Sequence, residues 1–123
     1  MAKERILIID GDISLIETLR WRLEEMGYFV DCAKSGNEAF DILERKWVDL
    51  IILSSILKGE IQGIQVFKKI RSKKRLSKIP VVMQSSKDVK KEMFEMIGIK
   101  SLYTKPCCAN TFITKIRRAL AKK

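Results

Sequence analysis

The stretch that decides the fold is Arg5-Ile6-Leu7-Ile8-Ile9-Asp10, a short apolar run that stops at a carboxylate. Its length and its β-branched residues predict a strand that is buried on both faces. A second run of the same kind, Leu50-Ile51-Ile52-Leu53, ends at Ser54 and Ser55. Strands buried on both faces are typical of parallel sheets that are covered by helices. The two runs therefore predict the centre of an α/β domain.

Amphipathic stretches alternate with further strands along the chain. After the first strand, apolar residues recur at helical spacing as far as Gly27, which predicts a helix end. Ser35 and Glu38 predict a capping box, and the helix that follows is expected to carry Trp47 on its apolar face. The remaining predicted elements are strands at 28–32, 80–83 and 101–104 and helices around 66–70, 89–97 and 112–120.

Five strand–helix units predict an α/β fold of the (βα)5 type, with a five-stranded parallel sheet and helices on both faces. A length of 123 residues suits a single domain that spans 1–123. No apolar stretch approaches the roughly 18 residues of a membrane helix, so no membrane span is expected. The first apolar run is too short for a signal peptide, which favours a cytoplasmic location.

The residue types that are missing exclude several classes of chemistry. The chain contains no histidine, which excludes His-based acid–base catalysis, Ser-His-Asp or Cys-His nucleophile pairs and His metal sites. Three cysteines, two of them adjacent at Cys107 and Cys108, match neither a disulfide framework nor a zinc pattern. We therefore expect no enzymatic activity from these groups.

The charge of the chain is divided unevenly between its halves. Residues 1–62 hold 8 basic and 12 acidic residues, whereas residues 63–123 hold 17 basic and 3 acidic ones. The densest basic segment runs from Lys68 to Lys78. It predicts a solvated face that keeps the domain soluble, or attraction to an acidic protein surface, nucleic acid or acidic lipid. No aromatic residue interleaves with this segment in the sequence, so single-stranded nucleic acid is possible but not favoured.

Polar residues close several of the predicted strands. In an open parallel sheet, ligands bind beyond the carboxyl ends of the strands. The residues expected at that edge are Asp10, Ser54, Ser85 and Lys105. No GxxxxGK[ST] loop or GxGxxG turn is present, which argues against a nucleotide site.

The sequence resembles the receiver domains of bacterial two-component response regulators over essentially its whole length. The resemblance implies a flavodoxin-like sheet of order 2-1-3-4-5 and a role in phosphorelay signal transduction. The landmarks that carry it, in order, are Ile-Leu-Ile-Ile-Asp (6–10), Ser-Gly-Asn-Glu-Ala (35–39), Asp-Leu-Ile-Ile-Leu (49–53), Gly-Ile-Gln-Val (63–66), Ile-Pro-Val-Val-Met (79–83) and Tyr-Thr-Lys-Pro (103–106).

The family's phosphorylation site matches this chain only in part. Asp10 matches the first acid of the Mg²⁺-binding pair, but Gly11 stands in place of the second acid. Ser54 stands in place of the aspartate that accepts the phosphoryl group. Ser85 matches the switch hydroxyl, and Lys105 matches the family's lysine. The resemblance therefore implies a degenerate phosphorylation pocket.

The lost carboxylates point to a pseudo-receiver, a receiver fold that binds its partners without phosphorylation. Mg²⁺ is held largely by carboxylates, and the candidates that remain are Asp10 and Asp12, so we expect no cofactor and at most weak Mg²⁺ binding. Asp12 also suits the N-cap of the first helix. A serine nucleophile at Ser54 would need an activating base. The alternatives are a working phosphoacceptor with unusual site residues and a basic module that binds nucleic acid or acidic lipid.

The resemblance also implies a partner surface. Receivers commonly bind through the face that their fourth helix, fifth strand and last helix form. We expect a signalling protein, or other domains of the same chain, to dock there with an acidic surface. The residues expected on this face are Lys87, Lys90, Lys91, Leu102, Tyr103 and Lys115.

Overall fold

A computed structural model describes residues 4–55, 57–59, 61–85, 101–104 and 109–121. The predicted helix at 89–97 lies outside these residues. The strands are β1 (Arg5–Ile9), β2 (Phe29–Ala33), β3 (Leu50–Ser54), β4 (Val81–Ser85) and β5 (Ser101–Thr104). The helices are α1 (Ile13–Glu25), α2 (Gly36–Arg45), α3 (Gly63–Ser72) and α4 (Ala109–Ala121).

The five strands form one parallel sheet of order β2-β1-β3-β4-β5. In its register, Ile9 pairs with Leu53 and Ser54 pairs with Gln84. The predicted fold class and strand order are confirmed. Because every strand runs in the same direction, all the carboxyl ends meet at one edge of the sheet.

The apolar side chains of the central strands alternate between two cores, one on each face of the sheet. On β1, Leu7 and Ile9 face the core that α2 and α3 cover, whereas Ile6 and Ile8 face the core that α1 and α4 cover. All four side chains are 0% exposed. Full burial of one such side chain contributes about 1.5–3 kcal/mol, so the central strands supply much of the stabilisation of the fold.

Side-chain caps fix the starts of the first two helices. The Asp12 carboxylate accepts a hydrogen bond from the Leu15 N–H at 3.3 Å, which confirms its N-cap role. The Ser35 hydroxyl accepts one from the Glu38 N–H at 3.2 Å. The Glu38 carboxylate in turn accepts from the N–H of Lys34, at 2.7 Å, rather than from that of Ser35. One hydrogen bond of the predicted capping box is therefore present, and the second one is made to the residue before the N-cap instead of to the N-cap itself.

The predicted place of Trp47 on the core face of the second helix is wrong. Helix α2 ends at Arg45, and Lys46 is already in an extended conformation with φ −135° and ψ 145°. The helix therefore ends before Trp47, although Trp47 continues the helical spacing of apolar residues. The Trp47 side chain is 52% exposed.

None of the described helices is long and apolar enough to cross a membrane. The thiol of Cys32 is half-buried, and burial raises the pKa of Cys32. Cys107 and Cys108 lie outside the described residues.

An ion-pair network joins the start of β1 and the middle of β2 to Lys46, the residue that follows α2. The Asp31 carboxylate accepts hydrogen bonds from the Arg5 guanidinium at 2.8 Å and from the Lys46 ammonium at 3.1 Å. Burial alone would raise the pKa of Asp31, but the bonds from Arg5 and Lys46 outweigh it and hold the pKa of Asp31 below its ordinary value. The charged form of Asp31 therefore stabilises the folded state.

We expect Asp31→Asn to lower the free energy of unfolding at neutral pH by about 1 kcal/mol, because a neutral amide loses both charged partners. The folded-state pKa of Asp31 lies below the unfolded one, so this stabilisation is complete above about pH 4 and is lost as the pH falls through the folded-state value. Urea unfolding across an acid titration measures the difference between the two proteins, which should vanish at the acid end.

The matched control is Glu24→Gln, which removes a carboxylate from the exposed Arg20–Glu24 pair, 3.4 Å apart. We expect it to change the free energy of unfolding by less than about 0.5 kcal/mol. An equal decrease in the free energy of unfolding in both variants would contradict a stabilising role of the Asp31 ion pairs. So would a decrease in Asp31→Asn that persists at acidic pH.

Candidate functional site

The carboxyl edge of the sheet carries a row of buried polar side chains. Asp10, Ser54 and Gln84 are 1%, 1% and 2% exposed, respectively, and they are the buried polar residues of the described chain. Ile9 pairs with Leu53, and Ser54 pairs with Gln84, so the three follow one another across β1, β3 and β4. Two residues of the row, Asp10 and Ser54, belong to the predicted pocket, and Gln84 was not among the predicted residues.

Asp10 and Asp12 both serve the turn between β1 and α1. The Asp10 carboxylate accepts a hydrogen bond from the Asp12 N–H at 2.9 Å, and the Asp10 N–H donates to the Ala33 carbonyl at 3.0 Å. The Asp12 carboxylate is directed to the first turn of α1, where Leu15 donates to it. The two acids, which Gly11 separates in the turn, thus accept hydrogen bonds from different backbone groups. In the parts of the chain that the structure describes, no group of three or more His, Cys, Asp or Glu residues could hold a metal ion.

The position of the missing second acid, Gly11, lies against the loop that follows β3. A Cβ atom at Gly11 would stand 3.3 Å from the Lys58 backbone nitrogen and 3.5 Å from the Leu57 carbonyl carbon. The Lys58 N–H donates to the Lys34 carbonyl at 3.3 Å, and Lys58 forms a parallel bridge with Ser35. Main-chain atoms of this loop therefore border the space that a second carboxylate would need.

Gln62 holds the same loop in place from the other side. Its side-chain oxygen accepts from the Leu57 N–H at 3.0 Å, and its amide nitrogen donates to the carbonyls of Gly59 and Leu57 at 3.1 and 3.3 Å. Gly59 has a φ of +92°, a conformation that glycine adopts without the penalty other residues incur. One side chain thus satisfies three backbone groups of the loop.

Helix α3 begins in very close contact with the end of β3. A Cβ atom at Gly63 would lie 2.0 Å from the Ser54 carbonyl oxygen and 2.8 Å from the Ser55 Cα. The Gly63 N–H also donates to the Ser55 carbonyl at 3.2 Å. The absence of a side chain at Gly63 therefore sets how closely the loop and α3 approach Ser54.

Two buried polar atoms of this edge have no hydrogen-bond partner within the described residues. They are the Ser55 hydroxyl oxygen and the Gln84 side-chain nitrogen. An unsatisfied buried polar group costs about 1–3 kcal/mol. The Ser55 N–H, in contrast, donates to the Gln84 carbonyl at 2.8 Å. At this end of the sheet, some buried side-chain atoms thus lack the hydrogen bonds that the neighbouring backbone groups make.

The structure locates the other predicted residues only in part. Ser85 ends β4 and pairs with Thr104, and Lys105 lies outside the described residues. On the predicted partner face, Leu102 and Tyr103 lie in β5, and Lys115 lies in α4. Lys87, Lys90 and Lys91 lie outside the described residues.

Sequence reasoning missed the roles of Gln62 and Gln84. The signal for Gln84 was present, since an amide directly after the apolar run Val81–Met83 is unusual in a strand buried on both faces. Gln62 gave no comparable signal, because its contacts depend on the path of the loop.

We expect Gly63→Ala to lower the free energy of unfolding by about 3 kcal/mol, because its methyl group would overlap backbone atoms that cannot rotate away. Gly59→Ala is the matched control. No atom lies within 4 Å of its added Cβ, and only the positive φ opposes it, at a cost of about 1 kcal/mol. Urea unfolding measures the free energy of unfolding of both variants. An equal decrease in the two would contradict the close contact between Gly63 and Ser54.

Comparisons with known proteins agree with this geometry. The family model described as the response regulator receiver domain matches residues 6–117. A putative response regulator from Chloroflexus aurantiacus superposes with a TM-score of 0.90 at 25% sequence identity, covering 98% of this chain and 99% of that one. The receiver domain of a signal transduction histidine kinase from Syntrophus aciditrophicus gives a TM-score of 0.86 at 25% identity, covering 97% and 91% of the two chains.

A third similar structure places the same fold inside a longer protein. NtrX from Brucella abortus superposes with a TM-score of 0.87 at 22% identity over 98% of this chain, but the match spans only 27% of the NtrX chain. This likeness concerns the fold alone. Because the family model covers most of the sequence and the sheet has the family's strand order, the chain belongs to the response regulator receiver domain family of two-component signalling.

Proposed function

We propose that this receiver is a pseudo-receiver, which binds its signalling partners without being phosphorylated. The observation that carries the proposal is the loss of two acidic side chains where the strands end. There, the buried Ser54 replaces an acidic acceptor, and the backbone of the loop after β3 borders the side-chain position of Gly11. The proposed role is binding rather than catalysis.

The properties of Ser54 support the loss of phosphoryl transfer. A hydroxyl becomes a competent nucleophile when an adjacent base removes its proton. The chain has no histidine to act as that base, and the neighbouring carboxylate, Asp10, already accepts a hydrogen bond from the Asp12 N–H. Ser54 is also only 1% exposed, which hinders the in-line approach of a phosphodonor.

The residues of the site also fit Mg²⁺ poorly. Mg²⁺ requires near-octahedral oxygen ligation and is usually anchored by carboxylates. Asp10 and Asp12 are bonded to separate backbone groups of the β1–α1 turn. The family's other two acidic positions are Gly11 and Ser54. No step of the proposed function therefore passes through a metal ion.

The proposed partner is a signalling protein, or another domain of the same chain, with an acidic docking surface. Support comes from the family, whose members act through other proteins, and from the charge of the second half of the chain, with 17 basic and 3 acidic residues in 63–123. Opposite charge across an interface accelerates association and favours the correct partner. A cytoplasmic location remains part of this proposal.

The alternative is a working phosphoacceptor with unusual site residues. It requires Ser54 to be accessible in a second conformation and to find a base there. A phosphorylation assay separates it from the pseudo-receiver.

We expect no phosphate uptake when the protein is incubated with acetyl phosphate and Mg²⁺, because the acidic nucleophile and one metal ligand are both replaced. Intact-mass spectrometry detects the added phosphoryl group directly. A stoichiometric mass gain that disappears in Ser54→Ala would overturn the proposal in favour of a working acceptor. A gain that persists in Ser54→Ala would locate the modification elsewhere and leave the pocket inactive.

We expect Mg²⁺ to bind the wild-type protein only weakly, and the Gly11→Asp/Ser54→Asp double variant to bind it more tightly. The double variant restores the two missing carboxylates beside Asp10, and the loop needs to move by only a few tenths of an ångström to make room for a Cβ atom at position 11. NMR titration that follows the amides of Asp10 and Asp12 compares the two proteins. Saturable sub-millimolar binding by the wild type would contradict the degenerate site.

A further inference from the structure

A basic segment lies at the end of the sheet where the strands begin, opposite the pocket. Between Glu60 and Asp88 the chain contains no acidic residue, and the basic side chains from Lys68 to Lys78 are exposed. This segment forms the end of α3 and the loop that leads into β4, so it lies where the strands begin. The basic residues are Lys68, Lys69, Arg71, Lys73, Lys74, Arg75 and Lys78.

The two arginines of the segment have structural roles. The Arg71 guanidinium donates to the Ile79 carbonyl at 2.8 Å and lies over the Phe67 ring at 4.9 Å. The Arg75 guanidinium donates to the carbonyl of Leu43, in the last turn of α2, where unpaired carbonyls favour a cation. Arg75 therefore connects the segment to α2. Its replacement by an acidic residue would remove this hydrogen bond and disturb the fold.

The cations that remain for a ligand are therefore lysines. Lys69 and Lys73 place their ammonium nitrogens 4.6 and 5.8 Å from the centroid of the Phe40 ring, which positions both beside α2. Lys74 and Lys78 are exposed in the loop that follows. A lysine ammonium acts on phosphate as a point charge, without the planar fork by which arginine reads a guanine edge.

The fold also supplies the aromatic side chain that the basic segment itself lacks. Trp47 is 52% exposed and lies four residues beyond Leu43, whose carbonyl accepts the bond from Arg75. The loop that carries Trp47 leads into β3, as the lysine loop leads into β4, so both loops lie at the same edge of the sheet. We define the basal patch as Lys69, Lys73, Lys74, Lys78 and Trp47.

We propose that the basal patch binds single-stranded nucleic acid without sequence preference. The combination of lysines that track a phosphate backbone with an exposed aromatic ring on which a base stacks is the arrangement that such binding uses. This function is additional to the pseudo-receiver role and does not depend on the state of the pocket.

Two other anionic partners suit the basal patch less well. A lipid surface binds segments that offer an apolar face for insertion. The apolar side chains of the segment, Ile70, Leu76 and Ile79, are at most 2% exposed, so Trp47 is the single exposed apolar side chain of the basal patch and does not make such a face. The cores of protein interfaces are depleted of lysine and enriched in arginine and aromatic residues, whereas here the arginines are engaged within the fold.

The test measures fluorescence anisotropy of a labelled oligothymidylate at several salt concentrations. If the four lysines contact phosphates, the logarithm of the binding constant should fall with the logarithm of the salt concentration with a slope of about −3. We expect Lys73→Gln/Lys74→Gln/Lys78→Gln to reduce the slope to about −1 and the affinity at low salt by at least tenfold. The matched control, Arg22→Gln/Lys34→Gln/Arg117→Gln, removes three exposed basic side chains outside the patch and should retain most of the slope.

A second readout tests the place of Trp47. In a Trp21→Phe variant, Trp47 is the only tryptophan, and its fluorescence should be quenched when the oligonucleotide stacks on it. Trp47→Leu should weaken binding about tenfold, as expected for one lost stacking contact, while leaving the salt slope unchanged.

Several outcomes would overturn the proposal. They are equal loss of slope in the two triple variants, an unquenched Trp47 at saturation, and binding to vesicles of phosphatidylcholine and phosphatidylglycerol but not to the oligonucleotide. Circular dichroism spectra and urea unfolding of each variant separate lost binding from lost folding. Mass spectrometry of phosphate uptake is a separate measurement, so failure here is distinguishable from failure of the pseudo-receiver role.

Discussion

The burial of β1 and β3 on both faces is the constraint on which the rest of the structure depends. Ile6–Ile9 and Leu50–Leu53 are 0% exposed, and their side chains alternate between two helix-covered cores. Strands that must be covered on both sides require crossover helices, and the crossovers make the sheet parallel. The parallel sheet then brings Asp10, Ser54 and Gln84 to one edge and the loops after α2 and α3 to the other.

The fold was predictable from the sequence because its signals are local. The apolar runs at 5–9 and 50–53 carry enough hydrophobic side chains to specify strands without knowledge of their neighbours. The caps at Asp12 and Ser35 satisfy N–H groups only three residues away. Trp47 shows where this reasoning fails, since its helical spacing was real but the chain had already left the helix at Lys46.

The candidate site was predictable in its location and only partly in its geometry. Asp10, Gly11 and Ser54 follow from the strand ends and the family's pattern. The loop contact at Gly11 and the bonds that Gln62 makes to Leu57 and Gly59 do not, because they join residues whose approach is set by the path of the loop. The same holds for the opposite end of the sheet, where a hydrogen bond to α2 distinguishes Arg75 from its lysine neighbours. Only the strand order places the loop of Trp47 at the same end as the lysine loop.

The ion-pair network at Asp31 has a consequence for association between copies of the chain. In the part of the chain that the structure describes, β2 is an outer strand of the sheet, and one of its sides has no neighbouring strand. Such edges are templates for unwanted pairing, and proteins protect them with charged side chains. A strand from another molecule that paired with β2 would have to approach Asp31 together with the cations of Arg5 and Lys46 and remove water from all three. The contacts that fasten β1 and β2 to α2 thus also protect the open edge of the sheet against aggregation.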